Sequence, residues 1–126
     1  MKNKNKLDIK ELGIPNVCFS MCDEPWAKKQ RIKNGFDASE LWNFDSTISA
    51  FILPRLKMFK KIHHGYPGEL TPKQWVKTID KMIVAFEMVA DDDLKYNNTK
   101  ADYKRNMKKI DEGLQLFAKW FLSLWD

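Results

Sequence analysis

Apolar positions recur at spacings of three and four along three stretches of this chain, whereas residues 1–36 show no sustained period. In the first stretch Leu41, Phe44, Ile48, Phe51, Ile52, Leu56, Phe59 and Ile62 form one stripe, which predicts an amphipathic helix. Asp37, with Glu40 three residues on, predicts its capping box, and Phe36 just before the cap is placed to staple onto Leu41. Pro54 falls inside the stripe and predicts a kink at about residues 50–53, because proline lacks the N–H and crowds the carbonyl four residues back. His63-His64-Gly65-Tyr66-Pro67-Gly68 then predicts a glycine cap and a turn. The second stretch opens on Thr71-Pro72-Lys73-Gln74, an N-cap threonine with proline at the first helical position and glutamine closing a capping box. Its buried face reads Trp75, Ile79, Met82, Ile83, Phe86 and Val89 or Ala90. Asp91, Asp92 and Asp93 are unfavourable to a helix C-terminus and predict the stop. The third stretch starts near Asn98 or Thr99, with a face running Tyr103, Met107, Ile110, Leu114, Phe117, Phe121 and Leu124. Gly113 sits in its middle at a cost of about 1 kcal/mol, so a close neighbour is expected there, with Trp42 and Trp75 as candidates.

This pattern predicts an all-α fold. Three main helices joined by short loops form a small antiparallel bundle over residues 37–126, preceded by an irregular N-terminal arm over 1–36. The arm docks Leu12, Ile14, Val17, Phe19, Met21 and Trp26, with room for a short helix at about 24–33. At 126 residues there is one core to fill, and five Trp and eight Phe are more than a three-helix core of this size needs. The surplus predicts self-association, a dimer, through a C-terminal patch around Trp120, Phe121, Leu124 and Trp125.

Charge and cysteine usage narrow the setting. The net charge of +5 favours acidic partners, although Lys2, Lys4, Lys6 and Lys10 in the N-terminal arm supply much of the excess. Met1 is followed by a polar run, no stretch reaches the ~18 apolar residues of a membrane span, and two cysteines suit a reducing cytoplasm. No membrane partner is therefore expected.

The polar and aromatic residues set among the stripes are the candidate site. Asp45 and Arg55 share a general side of the first helix ten residues apart, and the bend at Pro54 is placed to turn Arg55 toward Asp80 on the second. Such a cluster is most simply an interhelical ion pair packed on tryptophan. It also has the chemistry of a ligand site, in which Arg55 and Lys81 hold an anion, Trp42 or Trp75 stacks on a ring, and Asp45 and Asp80 neutralise the cations beforehand. His64 and Tyr66, in the turn before the second helix, complete the candidate set. His63 and His64 also simply suit the negative end of a helix dipole. Cys18 and Cys22 with the two histidines count four zinc donors, but no CxxC knuckle is present, and no metal or cofactor is expected. The aspartate triplet reads as a solvated loop. No phosphate-binding loop, dinucleotide fingerprint or HExxH occurs, and helix–turn–helix spacing is absent, so nucleic acid is not the expected partner.

Several motifs taken together carry a resemblance. They are Gly35-Phe36-Asp37, Leu41-Trp42-Asn43-Phe44-Asp45, Ile52-Leu53-Pro54-Arg55-Leu56-Lys57, His64-Gly65-Tyr66-Pro67-Gly68 and Trp75. Ile79-Asp80-Lys81-Met82-Ile83-Val84-Ala85-Phe86-Glu87 and, more loosely, Glu112-Gly113-Leu114 with Leu116-Phe117-Ala118-Lys119 complete them. In these the chain resembles a family of small bacteriophage-encoded proteins with no settled activity. The resemblance covers roughly residues 30–90 and part of the last helix. It implies a phage or prophage source and expression in the bacterial host, and it carries over no catalytic residue. The expectation is a non-enzymatic binding protein in the host cytoplasm, acting on a host defence factor or a small anionic, nucleotide-type ligand. A virion or assembly component, and a small hydrolase built on His64 and Asp80, are the alternatives.

Overall fold

The computed structural model describes residues 19–91 and 99–125, and every regular element among them is helical. Helix α1 spans Pro25–Asn34, α2 Phe44–Ile62, α3 Pro72–Ala90 and α4 Lys100–Trp120, with short 3-10 turns at Ala38–Leu41 and Phe121–Ser123. The chain forms two compact units, Met1–Phe44 and Asp45–Asp126. None of the described helices is long and apolar enough to cross a membrane.

A polar network holds the N-terminal unit together. Helix α1 ends on Gly35, whose φ of 81° is the left-handed conformation that glycine adopts without a Cβ penalty, and whose N–H donates to Arg31 O at 2.9 Å. Asp37 is wholly buried. Its carboxylate accepts from the Ser39 N–H at 2.9 Å, from the Ser39 hydroxyl and from the Arg31 guanidinium. The other Arg31 terminal nitrogen donates to Cys22 O at 2.9 Å. Gln30 Oε1 accepts from Ala38 N at 2.7 Å, and buried Glu40 accepts from Phe19 N. This network explains why the first predicted helix is divided. Asp37 does act as a cap, but of a four-residue 3-10 turn, and Glu40 is drawn to the segment before α1. The α-helix proper starts at Phe44. Phe36 and Leu41, expected to staple, both stay exposed. Of the predicted arm residues, Leu12, Ile14 and Val17 lie outside the described residues, Met21 is exposed, and the short helix is found as α1.

The core of the C-terminal unit is built on α3. Trp75, Ile79, Met82, Ile83 and Phe86 are buried along one stripe, as their spacing predicts, and Leu56 of α2 joins them. Ile52, Leu53 and Phe59 of α2 and Leu116, Phe117 and Trp120 of α4 pack around this stripe. Thr71 Oγ1 accepts from Gln74 N at 3.1 Å while Gln74 Oε1 accepts from Thr71 N at 2.9 Å, so both halves of the capping box form. Helix α3 stops at Ala90, before Asp91; Asp92 and Asp93 lie outside the described residues. Helix α2 runs unbroken through Pro54. It ends at Ile62 without a left-handed glycine: His63 closes it, with backbone N and ring Nδ1 each 2.9 Å from Phe59 O and its ring stacked on Phe59 at 5.3 Å.

Helices α3 and α4 pack closely, and Gly113 stands at a close backbone approach between them. A Cβ at Gly113 would stand 2.4 Å from both Ala85 Cβ and the Lys81 carbonyl oxygen, so the neighbours are these, not a tryptophan. Seating Gly113 against α3 also sets the rotation of α4. Leu116, Phe117 and Trp120 turn toward the core. Tyr103, Met107, Leu114 and Phe121, expected in the buried face, are left exposed.

Candidate functional site

Seven of the eight candidate residues belong to the C-terminal unit, and Trp42 to the N-terminal one. Asp45 lies in the first turn of α2, where its carboxylate accepts from Ser46 N at 2.9 Å and suits the positive helix end. Arg55 is exposed, donates to Phe51 O at 2.9 Å and lies 3.9 Å over the Phe51 ring. Asp80 pairs with a different cation of α2, Lys60, at 2.5 Å, and Lys57 pairs with Glu87 at 3.0 Å. The ion pairing between α2 and α3 thus exists, but Lys57 and Lys60 supply it and Arg55 does not. The register explains this: Lys57 and Lys60 are three residues apart, as one ladder of a helix surface requires, whereas Arg55 is held by its own preceding turn. Trp75 is wholly buried with its ring edge-on to Trp120 at 6.1 Å, so it packs the core and presents no face to a ligand. His64 is exposed and Tyr66 about half exposed in the connection from α2 to α3.

Asp80 and Lys81 do meet at a common feature. Together with Val84, Lys109 and Glu112 they line an open groove of about 260 Å³ between α3 and α4. Lys81 donates to Glu112 at 2.6 Å, and that hydrogen bond, helped by the lysine charge, holds the Glu112 carboxyl below its ordinary value. Two lysines against two carboxylates leave the groove without net charge, and it is small beside the ~300–1,000 Å³ of ligand pockets. Among the described residues no group of three or more His, Cys, Asp and Glu could hold a metal ion; Cys18 lies outside them.

Two surfaces stand out that the motif residues alone do not indicate. One is a ridge on α4. Tyr103, Met107, Leu114 and Phe121 follow at intervals of four and seven, which places them along one side of the helix, and Leu122 and Trp125 continue beyond its end at 87% and 74% exposure. The other is an indole pair in the N-terminal unit, Trp26 and Trp42, with ring centres 6.4 Å apart and planes tilted 54°. Trp42 was legible as a candidate, but its neighbour Trp26 was not, because the two are brought together by the Asp37 network and not by helical spacing. No protein-family model matches this sequence, and comparison with curated proteins and with solved structures finds no similar chain.

Proposed function

We propose that the protein is a non-enzymatic binding protein that works in the cytoplasm of a phage-infected bacterium, and that the α4 ridge docks an acidic host protein. The phage setting follows from the motif resemblance, and a host defence factor is the class of target it favours. The ridge is the observation that carries the reading. Exposed apolar side chains aligned along one side of a helix mark interaction surfaces, and this row has a basic border. Lys100 and Lys104 stand one turn before Tyr103 and Met107, and neither has an ion pair among the described residues. The whole helix carries six basic against three acidic side chains. That balance suits an apolar strip edged with carboxylates better than a second copy of the same basic helix. The hydrolase alternative loses support from the engagement of Asp80 with Lys60.

The test is capture from host cells by the wild-type chain and by a Met107→Asp, Leu114→Asp double variant. A captured protein is identified by mass spectrometry and then purified, and its binding measured by calorimetry at two salt concentrations. Binding that is lost in the variant and weakens with salt, while circular dichroism of the variant is unchanged, is the expected result. A purified partner that binds the variant equally well refutes the ridge. Light scattering that shows a wild-type dimer broken by the variant assigns the ridge to self-association instead.

A further inference from the structure

We infer that the Trp26–Trp42 pair, with Lys29 and Lys33 beside it, is a stacking platform for a nucleotide: a planar base carrying a phosphate. The site lies wholly within the N-terminal unit and does not depend on the α4 ridge. Trp26 lies in the first turn of α1, and Lys29 and Lys33 follow it by three and seven residues, which puts both lysines on its side of the helix. Trp42 closes the 3-10 turn and comes against Trp26 through the capped Asp37 turn. Trp42 is 71% exposed, so its indole is available to stack on a planar ligand.

The charges select the ligand. Of the other cations on α1, Arg31 is committed to Asp37 and to Cys22 O, and Lys28, two residues after Trp26, lies on the opposite side of the helix from it. Lys29 and Lys33 have no ion pair among the described residues. An apolar partner alone would gain nothing from two uncompensated ammonium groups, and a cationic or quaternary-ammonium ligand would be repelled by them. An anion alone would make no use of the indoles. A base stacked on the exposed Trp42 indole, beside the tilted Trp26 ring, with its phosphate toward the lysines uses both. The same chemistry is offered by a free mononucleotide and by a residue of a single strand.

Indole N–H resonances of the full chain, followed by NMR during titration with AMP, adenosine, inorganic phosphate and a short oligoadenylate, test the proposal. AMP should move the Trp26 and Trp42 signals and leave that of core Trp75 in place. Adenosine should bind more weakly than AMP, and phosphate should leave the indole signals still. Trp42→Ala should weaken AMP binding about tenfold, the scale of losing one stacking surface. Lys29→Glu with Lys33→Glu, both at exposed sites, should weaken it comparably and flatten its salt dependence with the indole pair intact. Oligoadenylate binding much more tightly than AMP assigns the platform to single strands, and equal binding assigns it to free nucleotides. If AMP leaves Trp26 and Trp42 unmoved, shifts Trp120 and Trp125 equally, or binds the lysine variant unchanged, the inference fails.

Discussion

Gly113→Ala separates two opposed physical effects at one position. In an exposed helix interior the change stabilises by about 1 kcal/mol, because alanine loses less backbone freedom on folding. Here the new methyl would stand 2.4 Å from Ala85 Cβ and 2.4 Å from the Lys81 carbonyl oxygen, where ordinary contacts begin at 3.4 Å. Neither neighbour is the end of a flexible side chain, so no rotamer change relieves the overlap. The helices must separate by about 1 Å, which forfeits a quarter to a half of the dispersion attraction wherever the gap opens. The edge-on Phe86–Phe117 pair, with ring centres 5.0 Å apart, spans the same interface and shares that loss. Overpacking of this kind costs about 1–3 kcal/mol, and the rigidity of both neighbours places it in the upper half of that range. After the propensity gain a net loss of about 1–2 kcal/mol remains, or roughly 5–15 °C in thermal midpoint for a unit of this size.

The assay is thermal unfolding by circular dichroism at fixed protein concentration, with urea unfolding to confirm an unchanged m-value. Gly68→Ala is the control, since a Cβ there meets nothing within 4 Å. A double variant, Ala85→Gly with Gly113→Ala, removes one of the two overlaps. It should lose less than the sum of the single changes, a coupling that distant sites do not show. A midpoint that rises by several degrees in Gly113→Ala refutes the close approach and, with it, the rotation of α4 that exposes the ridge.

Trp75→Ala should cost about 3–5 kcal/mol in urea unfolding, as the wholly buried centre of the α3 stripe, whereas Trp125→Ala at the exposed chain end should be near neutral. Thr71→Ala should cost about 1 kcal/mol, because it removes the hydroxyl that accepts from Gln74 N, and amide exchange should quicken first at Gln74. For Asp37, burial pushes the carboxyl up, but donors from Ser39, Ser20 and Arg31 outweigh it and hold it well below the usual carboxylate range. A depressed native value means that the stability it contributes is complete above the unfolded value of 3.8 and is lost only as pH falls through the native one. Trp26 and Trp42 fluorescence should therefore hold its native signature through pH 4. Asp37→Asn should remove the acid transition and loosen the N-terminal unit at neutral pH. An unshifted transition near pH 4 in the wild-type protein counts against the network.

What the sequence made legible is what local chemistry decides. The α3 stripe, its cap and its stop at Asp91 all follow from side chains within one or two turns of each other, and each is found where the pattern puts it. The division of the first helix was not legible, because Asp37 and Glu40 carry the same signature for a short 3-10 turn as for a long helix. What distinguishes the two is Arg31 and Phe19, six and twenty-one residues away. Arg55 and Asp80 failed to pair for a related reason: several lysines on α2 compete for each carboxylate of α3, and helix rotation, which no single residue encodes, decides among them.

The same limit governs the aromatic surplus, and there it bears on function. Composition shows that some indoles must remain outside the core without saying which. Trp75 and Trp120 are consumed by it, edge to face, and leave Trp26, Trp42 and Trp125 at 39%, 71% and 74% exposure. Their placement is the consequence of two structural decisions made elsewhere. Gly113 seats α4 against α3 and turns the ridge and chain end outward, while the buried Asp37 network folds Trp42 back onto α1. Within each unit, lysines without an ion pair among the described residues stand near exposed aromatic side chains, Lys100 and Lys104 by Tyr103 and Lys29 and Lys33 by Trp26.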